Sequence, residues 1–317
     1  MGGNGDSKRL DAAARAGWLY YVAGNRQDEI AVKLGISRQS AQRLVSLAVS
    51  EGLVRVRLEH PIARCLALAA RLRARFELKF VEVAPTDPAS ASTTLGIADI
   101  AAAEIERFLR TPDPLIMAIG TGRTLKAAID MLAPVEAPQH RVVSLTGTIT
   151  PEGSAAFYNV IYDMAAQVKT RLFPMPLPVI ASSKQERALL HRQPMILATL
   201  RLAAKADVAF VGIGDVGDAA PLFVDGFISA AELRALQKAG AVGEIVGWAF
   251  DARGELIKGP IHERVASAPV PARAHSLVIA GARGAKKLPG IRAALLGRLI
   301  NGLITDEQTA EALLRKK

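Results

Sequence analysis

From Lys79 to the C-terminus, short apolar runs alternate with amphipathic stretches, and this pattern restricts the fold more than any other feature of the chain. The runs are Phe80–Val83, Leu115–Ile119, Val142–Leu145, Val179–Ala181, Val208–Ile213, Val246–Phe250 and Leu277–Ala280. Helical stretches fall between most of them, at Ala98–Leu109, Leu125–Leu132, Ala155–Thr170, Pro194–Ala204, Ala230–Ala239 and Ile291–Leu299. Strands that are apolar on both faces and alternate with helices form a mainly parallel sheet covered on both sides. The expected class is therefore α/β for residues 79–317.

The N-terminal residues follow a different period. Asp11–Val22 reads as a helix with Trp18, Leu19 and Val22 available for a core. Asn25 is placed to cap a second helix, with Asp28 three residues on and Ile30, Ala31 and Leu34 as its apolar side. Gly35-Ile36 makes a tight turn, and Ser37 caps a third helix. Ala41, Leu44, Val45 and Ala48 then recur at i, i+3, i+4 and i+7, which is one buried face. The opposite face carries Arg38, Gln39, Gln42, Arg43 and Ser46, with Ser40 nearby, and these side chains can reach base edges and phosphates from a major groove. Gly52 ends the helix, and Val54-Arg55-Val56-Arg57-Leu58 alternates as a strand with Arg55 and Arg57 on its outer side. Residues 1–60 thus read as a winged helix-turn-helix, and double-stranded operator DNA is the expected partner. Helix-turn-helix units also serve as plain packing elements, but cap, turn, polar face and basic strand agree here.

Composition sets bounds. The 317 residues suit two domains, and half of them are hydrophobic, so packed cores are expected. The net charge of +10 suits a nucleic-acid partner, although residues 1–60 account for only +3 of it. The single cysteine, Cys65, allows no intramolecular disulfide and reads as a small buried hydrophobe. No signal-peptide core and no membrane-length apolar stretch is visible, so a cytoplasmic location without a membrane partner is expected. His60, His140, His191, His262 and His275 lack metal-ligand spacing, and neither metal nor cofactor is expected. Residues 61–78 read as a linker helix. There Ile62, Cys65, Ala69, Leu72 and Phe76 follow heptad spacing, which fits a dimer seam or equally an amphipathic helix packed on its own domain.

In a parallel sheet, ligands sit at the carboxyl ends of strands. The sharpest such loop is Gly120-Thr121-Gly122-Arg123-Thr124, where a buried strand enters a helix through glycines. Free N–H groups, two hydroxyls and a guanidinium there make a cradle for phosphate or carboxylate, without the spacing of a nucleotide P-loop. Three more loops follow apolar runs: Ser144 to Thr148, including Gly147 and Thr148 with Asn159 beyond; Val211 to Gly217, including Gly212, Gly214 and Asp215; and Gly281 to Lys287, ending in Lys286 and Lys287. Glu244 and Asp251 are further carboxylates near loops. Small residues, hydroxyls and cations at several strand ends favour a phosphorylated or polyhydroxylated ligand.

The order of these motifs resembles the SorC family of sugar-responsive bacterial transcriptional regulators, related to the deoxyribonucleoside regulator of bacilli. It is carried by Gln27-Asp28-Glu29-Ile30-Ala31, Gly35-Ile36-Ser37-Arg38, Gly52-Leu53-Val54, Gly120 to Leu125, Val211 to Asp215, Gly243 to Gly247 with Phe250-Asp251 and Gly254, and the tail from Ala293 to Leu295 and Leu303 to Glu307. The resemblance spans about Trp18 to Leu314 and implies a C-terminal effector domain similar to sugar-phosphate isomerases and coenzyme A transferases. It further implies a homo-dimer or homo-tetramer whose DNA affinity responds to a sugar, polyol or sugar phosphate. By motif position, Gly120 to Thr124 would contact phosphate, Glu244 would hold sugar hydroxyls, and Lys287 or its neighbour Lys286 would be the late cation. Thr121 stands where many members carry an aromatic residue, so a neutral sugar alcohol stays open as the ligand. The competing class is a sugar-phosphate isomerase or deaminase with an accessory helix-turn-helix domain. Asp215, Glu244 and Asp251 are the carboxylates such an enzyme would draw on, and none lies in a recognisable acid–base motif.

Overall fold

The computed structural model describes residues 3–54, 62–150 and 152–315, and the chain divides into two units, Met1–Pro61 and Ile62–Lys317. The wing arginines Arg55 and Arg57 lie outside the described residues.

The first unit holds α1 (Gly3–Tyr21), α2 (Gln27–Leu34) and α3 (Arg38–Ser50). Its core is Ala16, Ile30, Ala31, Ala41 and Val45, with Leu19, Leu34, Ile36 and Leu44 packed against it. Two details differ from the expectations. Helix α2 is capped at Arg26, whose N–H donates to the Glu29 carboxylate at 2.7 Å, while the Asn25 amide donates to the Leu19 and Ala23 carbonyls instead. Trp18 and Val22 are exposed, because α1 meets α3 through small residues. A Cβ on Gly17 would fall 2.7 Å from both Ala48 Cβ and Val54 Cγ2, so only glycine permits this approach. The turn and second cap are as expected. Gly35 is left-handed at φ 65°, and the Ser37 hydroxyl accepts the Ser40 N–H at 3.1 Å.

The second unit begins with α4 (Ala63–Phe76), followed by β1 (Phe80–Ala84), α5 (Ile97–Leu109), β2 (Ile116–Ile119), α6 (Arg123–Asp130), β3 (Val135–Ser144), α7 (Val160–Ala165) and β4 (Val168–Phe173). Then come α8 (Lys184–Arg192), α9 (Pro194–Ala203), β5 (Val208–Gly212), α10 (Pro221–Val224), α11 (Ala230–Lys238), β6 (Ala241–Ile245) and β7 (Trp248–Asp251). The chain closes with α12 (Pro260–Arg264), β8 (Leu277–Gly281), α13 (Leu288–Leu296), β9 (Gly302–Asp306) and α14 (Glu307–Leu314).

Seven strands form one sheet in the order β1-β9-β8-β5-β2-β3-β4, and every neighbouring pair is parallel. Alternate residues serve two cores. Met117, Ile119, Val208, Phe210 and Ile279 face α5, α6 and α7, while Ala118, Ala209, Val211, Val278 and Ala280 face the opposite cluster. Helix α4 joins that opposite cluster through Cys65, Leu68, Ala69 and Leu72, packing on β1 and α14. Its apolar stripe is therefore consumed within its own unit rather than left as a free seam on a separate linker.

Three of the expected elements fold differently. Val179–Ala181 is an extended segment tied by an isolated bridge from Ile180 to Val265. The stretch Ala155–Thr170 holds only the short α7 as helix, and the edge strand β4, carrying Lys169 and Arg171, already begins within it at Val168. Val246–Phe250 is a strand only from Trp248: Val246 at φ 48° and Gly247 at φ 90° form the tight turn that joins β6 and β7 into an antiparallel hairpin.

Candidate functional site

After β2 the chain continues to β3 and β4 on one side of the sheet, and β5 returns beside β2 before the chain proceeds to β8 and β9 on the other. That reversal opens a crevice beyond the carboxyl ends of β2 and β5. A pocket occupies it, enclosing about 810 Å³ including its mouth. It is lined by Thr121 to Thr124 after β2, Thr146 and Gly147 after β3, Gly212 to Gly214 after β5, Glu244 to Gly247 around the hairpin turn, and Lys287 before α13, apart from Ile245. Ala156, Phe157, Tyr158, Val179, Pro221, Leu222, Asp225 and Phe227 complete the wall.

Glycines build this floor. Gly122 stands at φ 112° and ψ 170°, a backbone region reserved for glycine, and forms the N-cap of α6. Arg123 and Thr124 open α6, so their N–H groups have no intrahelical acceptor, and both residues line the pocket. The Thr121 hydroxyl donates to the Tyr158 carbonyl, which ties the aromatic segment to the cradle. Gly214 and Glu244 exchange backbone hydrogen bonds at 3.0 Å each way, and a Cβ on Gly214 would overlap the Glu244 carboxylate.

The charges differ in exposure: Glu244 is buried, Asp225 and Lys287 are half-buried, and Arg123 is exposed. One carboxylate oxygen of Glu244 accepts the Gly247 N–H at 2.8 Å. Burial pushes its carboxyl above the usual range, against the pull of Gly247 N–H and of Lys287. Burial likewise pushes the Lys287 ammonium down, opposed by Glu244 and reinforced by the like charge of Arg123. Asp225 is raised by burial, with Arg123 opposing. The site thus sets two cations, Arg123 and Lys287, beside two carboxylates, Glu244 and Asp225.

Of the residues singled out in the sequence, Thr121, Gly122, Arg123, Thr124, Gly147, Gly212, Gly214, Glu244 and Lys287 meet in this pocket. Six others do not line it. Gly120 lies just behind, donating to the Phe210 carbonyl at 2.8 Å. Thr148 is buried and bonded to the Met175 carbonyl at 3.2 Å. Asn159 stands at the start of α7, and Lys286 is exposed beside Lys287. Asp215 accepts the Gly217 N–H at 3.1 Å, although its charge still reaches Glu244 and Lys287. Asp251 organises the turn after β7 by accepting the Arg253 and Glu255 N–H groups at 2.8 and 2.9 Å. Phe157 and Tyr158 carried no signal because they sat inside an expected helix, and Asp225 lies in a loop without a motif.

Arg283 follows β8 yet does not face the pocket. Its guanidinium bonds Asp306 at 3.1 Å and the Leu95 carbonyl at 3.0 Å, with side chains only 6% and 1% exposed. Asp306 also accepts the Thr86 hydroxyl and the Thr309 N–H, each at 3.0 Å, so this pair clamps three loops.

In the first unit, Arg38, Gln39, Gln42, Arg43 and Ser46 are exposed along one side of α3. Arg38 contacts Asp28 at 3.0 Å, and the Ser37 and Ser40 hydroxyls bond each other at 2.9 Å.

Comparison with known proteins accounts for both units. Residues 60–315 match a family described as "putative sugar-binding domain". The chain is 33% identical over 302 residues to the erythritol catabolism regulatory protein EryD of Brucella abortus (strain 2308), covering 95% of this chain and 96% of that one. It is 33% identical over 311 residues to the transcriptional regulator LsrR of Escherichia coli (strain K12), covering 96% and 95%. The crystal structure of the full-length sorbitol operon regulator SorC from Klebsiella pneumoniae superposes with a TM-score of 0.71 at 25% identity, over 96% of this chain and 99% of that one. The chain belongs to the SorC family of transcriptional regulators.

As in that family, a sugar-binding domain follows an N-terminal DNA-binding region. Among the described residues, no helix is long and apolar enough to cross a membrane.

The Glu244 carboxyl gives this SorC-family pocket a pH signature. Its folded value lies above the unfolded one, so its stabilising contribution is complete below the ordinary carboxylate range and is lost as pH rises through the raised value. Glu244→Gln keeps an acceptor for Gly247 and removes the titration. The variant should therefore gain thermal stability relative to the wild type as pH rises above the ordinary carboxylate range. Melting curves from that range upward check this, and a difference that does not change with pH would contradict it.

Proposed function

We propose that this protein is an operator-binding regulator of polyol or sugar use, controlled by a small phosphorylated polyol or sugar in the strand-end pocket. The observation carrying this reading is the convergence of Arg123, Lys287 and the free N-terminus of α6 with the buried carboxylate of Glu244. The cationic side suits a phosphate, and carboxylates suit hydroxyl donors. Thus Gly122 to Thr124, Arg123 and Lys287 hold the anion, while Glu244 and Asp225 accept from hydroxyls. Relatives named for erythritol catabolism and for a sorbitol operon favour an acyclic polyol skeleton.

Ser37 at the cap of α3 and Arg38, Gln39, Ser40, Gln42 and Arg43 on it face the operator, and Arg55 and Arg57 add phosphate contacts. The protein acts in the cytoplasm as a homo-dimer or homo-tetramer, so that two recognition helices reach two half-sites. Ligand binding shifts DNA affinity only as far as the ligand prefers one subunit arrangement over another. The carboxylates serve recognition rather than turnover.

Thermal melts test the pocket. Erythritol 4-phosphate, sorbitol 6-phosphate and ribose 5-phosphate are compared with erythritol, sorbitol and inorganic phosphate. A phosphorylated member at about 100 times its Kd should raise Tm by roughly 5–10 °C. Lys287→Met should lose most of that rise. An undiminished rise in Lys287→Met would remove the lysine from the site, and consumption of the ligand would establish an enzyme instead.

A further inference from the structure

We infer that the Thr146 hydroxyl is a hydroxyl-reading contact that selects the polyol part of the ligand. This rests on the proposed pocket reading and extends it to a residue outside the anion cradle.

Among the described residues, three buried side-chain hydroxyls have no hydrogen-bond partner: Thr146, Ser267 and Thr305. Only Thr146 of the three lines the pocket. It is 2% exposed, so its oxygen gains little from solvent. A buried threonine ordinarily finds a carbonyl, and leaving its hydroxyl unpaired costs stability.

The loop gives Thr146 no freedom to seek one. Ser144 Oγ donates to the Thr146 carbonyl at 2.8 Å and accepts the Thr146 N–H at 3.3 Å, which fixes the backbone from one side. On the other side, Gly147 lies so close to the 177–179 backbone that an added Cβ would fall 2.7 Å from Val179 N. The next residue, Thr148, is anchored through its N–H and hydroxyl to the Met175 carbonyl, each at 3.2 Å. The Thr146 backbone, the Ser144 hydroxyl and Thr148 are thus satisfied by the fold, while Thr146, a residue of the pocket wall, keeps an unpartnered hydroxyl. A fixed, dry hydroxyl that can both donate and accept is suited to one hydroxyl of a polyhydroxylated ligand. A site built around such a bond rejects analogues that lack the partner.

The test uses the full-length protein and four variants. Thr146→Val replaces the hydroxyl with a methyl of similar size, Thr146→Ser keeps the hydroxyl, and Ser267→Ala and Thr305→Val are controls. Binding of sorbitol 6-phosphate, erythritol 4-phosphate and inorganic phosphate is measured by calorimetry, with a melting curve for each variant. Thr146→Val should bind the tightest phosphopolyol roughly tenfold more weakly while holding inorganic phosphate as the wild type does. Its unliganded Tm should rise by about 2–4 °C, because an unpaired buried hydroxyl is gone. Thr146→Ser should retain wild-type affinity. The two controls should gain stability without losing affinity.

Unchanged phosphopolyol affinity in Thr146→Val, or an equal loss for inorganic phosphate, would overturn the assignment while leaving the pocket reading intact. If Thr146→Val does not fold, Thr146→Ala supplies the same comparison. Failure of every probe to bind the wild type would overturn the pocket reading and this assignment with it.

Discussion

Arg283→Ala is expected to destabilise the second unit by about 3–5 kcal/mol, lowering its Tm by roughly 10 °C or more. The loss comes from the partner left behind. Asp306 is only 1% exposed, and without the guanidinium it becomes a buried charge lacking its counterion. It would still accept the Thr86 hydroxyl and Thr309 N–H, which offset only part of that cost. The compensating variant follows from this. Arg283→Met with Asp306→Asn removes both charges and retains an acceptor for the cap of α14, so it should recover much of the stability. Thermal melts of the single and double variants decide the matter. An Arg283→Met single variant as stable as wild type would show that the buried pair contributes nothing. This variant also separates two cations of one loop: Arg283 holds the fold, whereas Lys287 lines the pocket.

The second large effect is on DNA. Arg43→Ala should weaken operator binding by about 10- to 100-fold per protomer if the guanidinium makes a bidentate base contact. Two protomers on one operator would multiply that loss. Arg43 is exposed on α3 and takes no part in the core of Ala16, Ile30, Ala31, Ala41 and Val45. Alanine is a good helix former, so stability should change by no more than about 0.5 kcal/mol. Fluorescence anisotropy with labelled operator DNA at one fixed salt concentration measures the effect. Unchanged affinity would take Arg43 off the reading face.

The division between what the chain revealed and what it concealed has physical causes. Strands buried on both faces, such as β2, β5 and β8, appear as uninterrupted apolar runs and are easily read. Edge strand β4 exposes alternate residues, so Lys169 and Arg171 hide it among helical patterns. Strand β9 is buried throughout and lies between β1 and β8, but its Gly-Leu-Ile-Thr-Asp mixes apolar and polar residues and does not stand out. The helix-turn-helix was legible because its cap at Ser37 and turn at Gly35 are local. At α2 the cap fell one residue later than expected, since Asn25 is occupied by the Leu19 and Ala23 carbonyls.

The pocket shows the same limit. Residues on glycine-marked strand ends, from Thr121 to Thr124 and from Gly212 to Gly214, come together as the motifs suggested. Asp251 matched a motif but is spent on a turn, and Thr148 on a carbonyl of a distant segment. Asp225 and Phe157 reach the pocket only through loops whose course depends on tertiary packing. Between neighbours such as Lys286 and Lys287, periodicity cannot choose; the short turn before α13 does, placing Lys287 on the pocket wall.

Under the proposed function, ligand in the pocket changes the grip of α3 on DNA. The most direct test titrates labelled operator with the full-length protein, alone and with a saturating phosphopolyol that raises its Tm. Operator affinity should shift by roughly 5- to 150-fold, and ligand affinity by an equal factor when operator is present. Operator affinity identical with and without saturating ligand would contradict it.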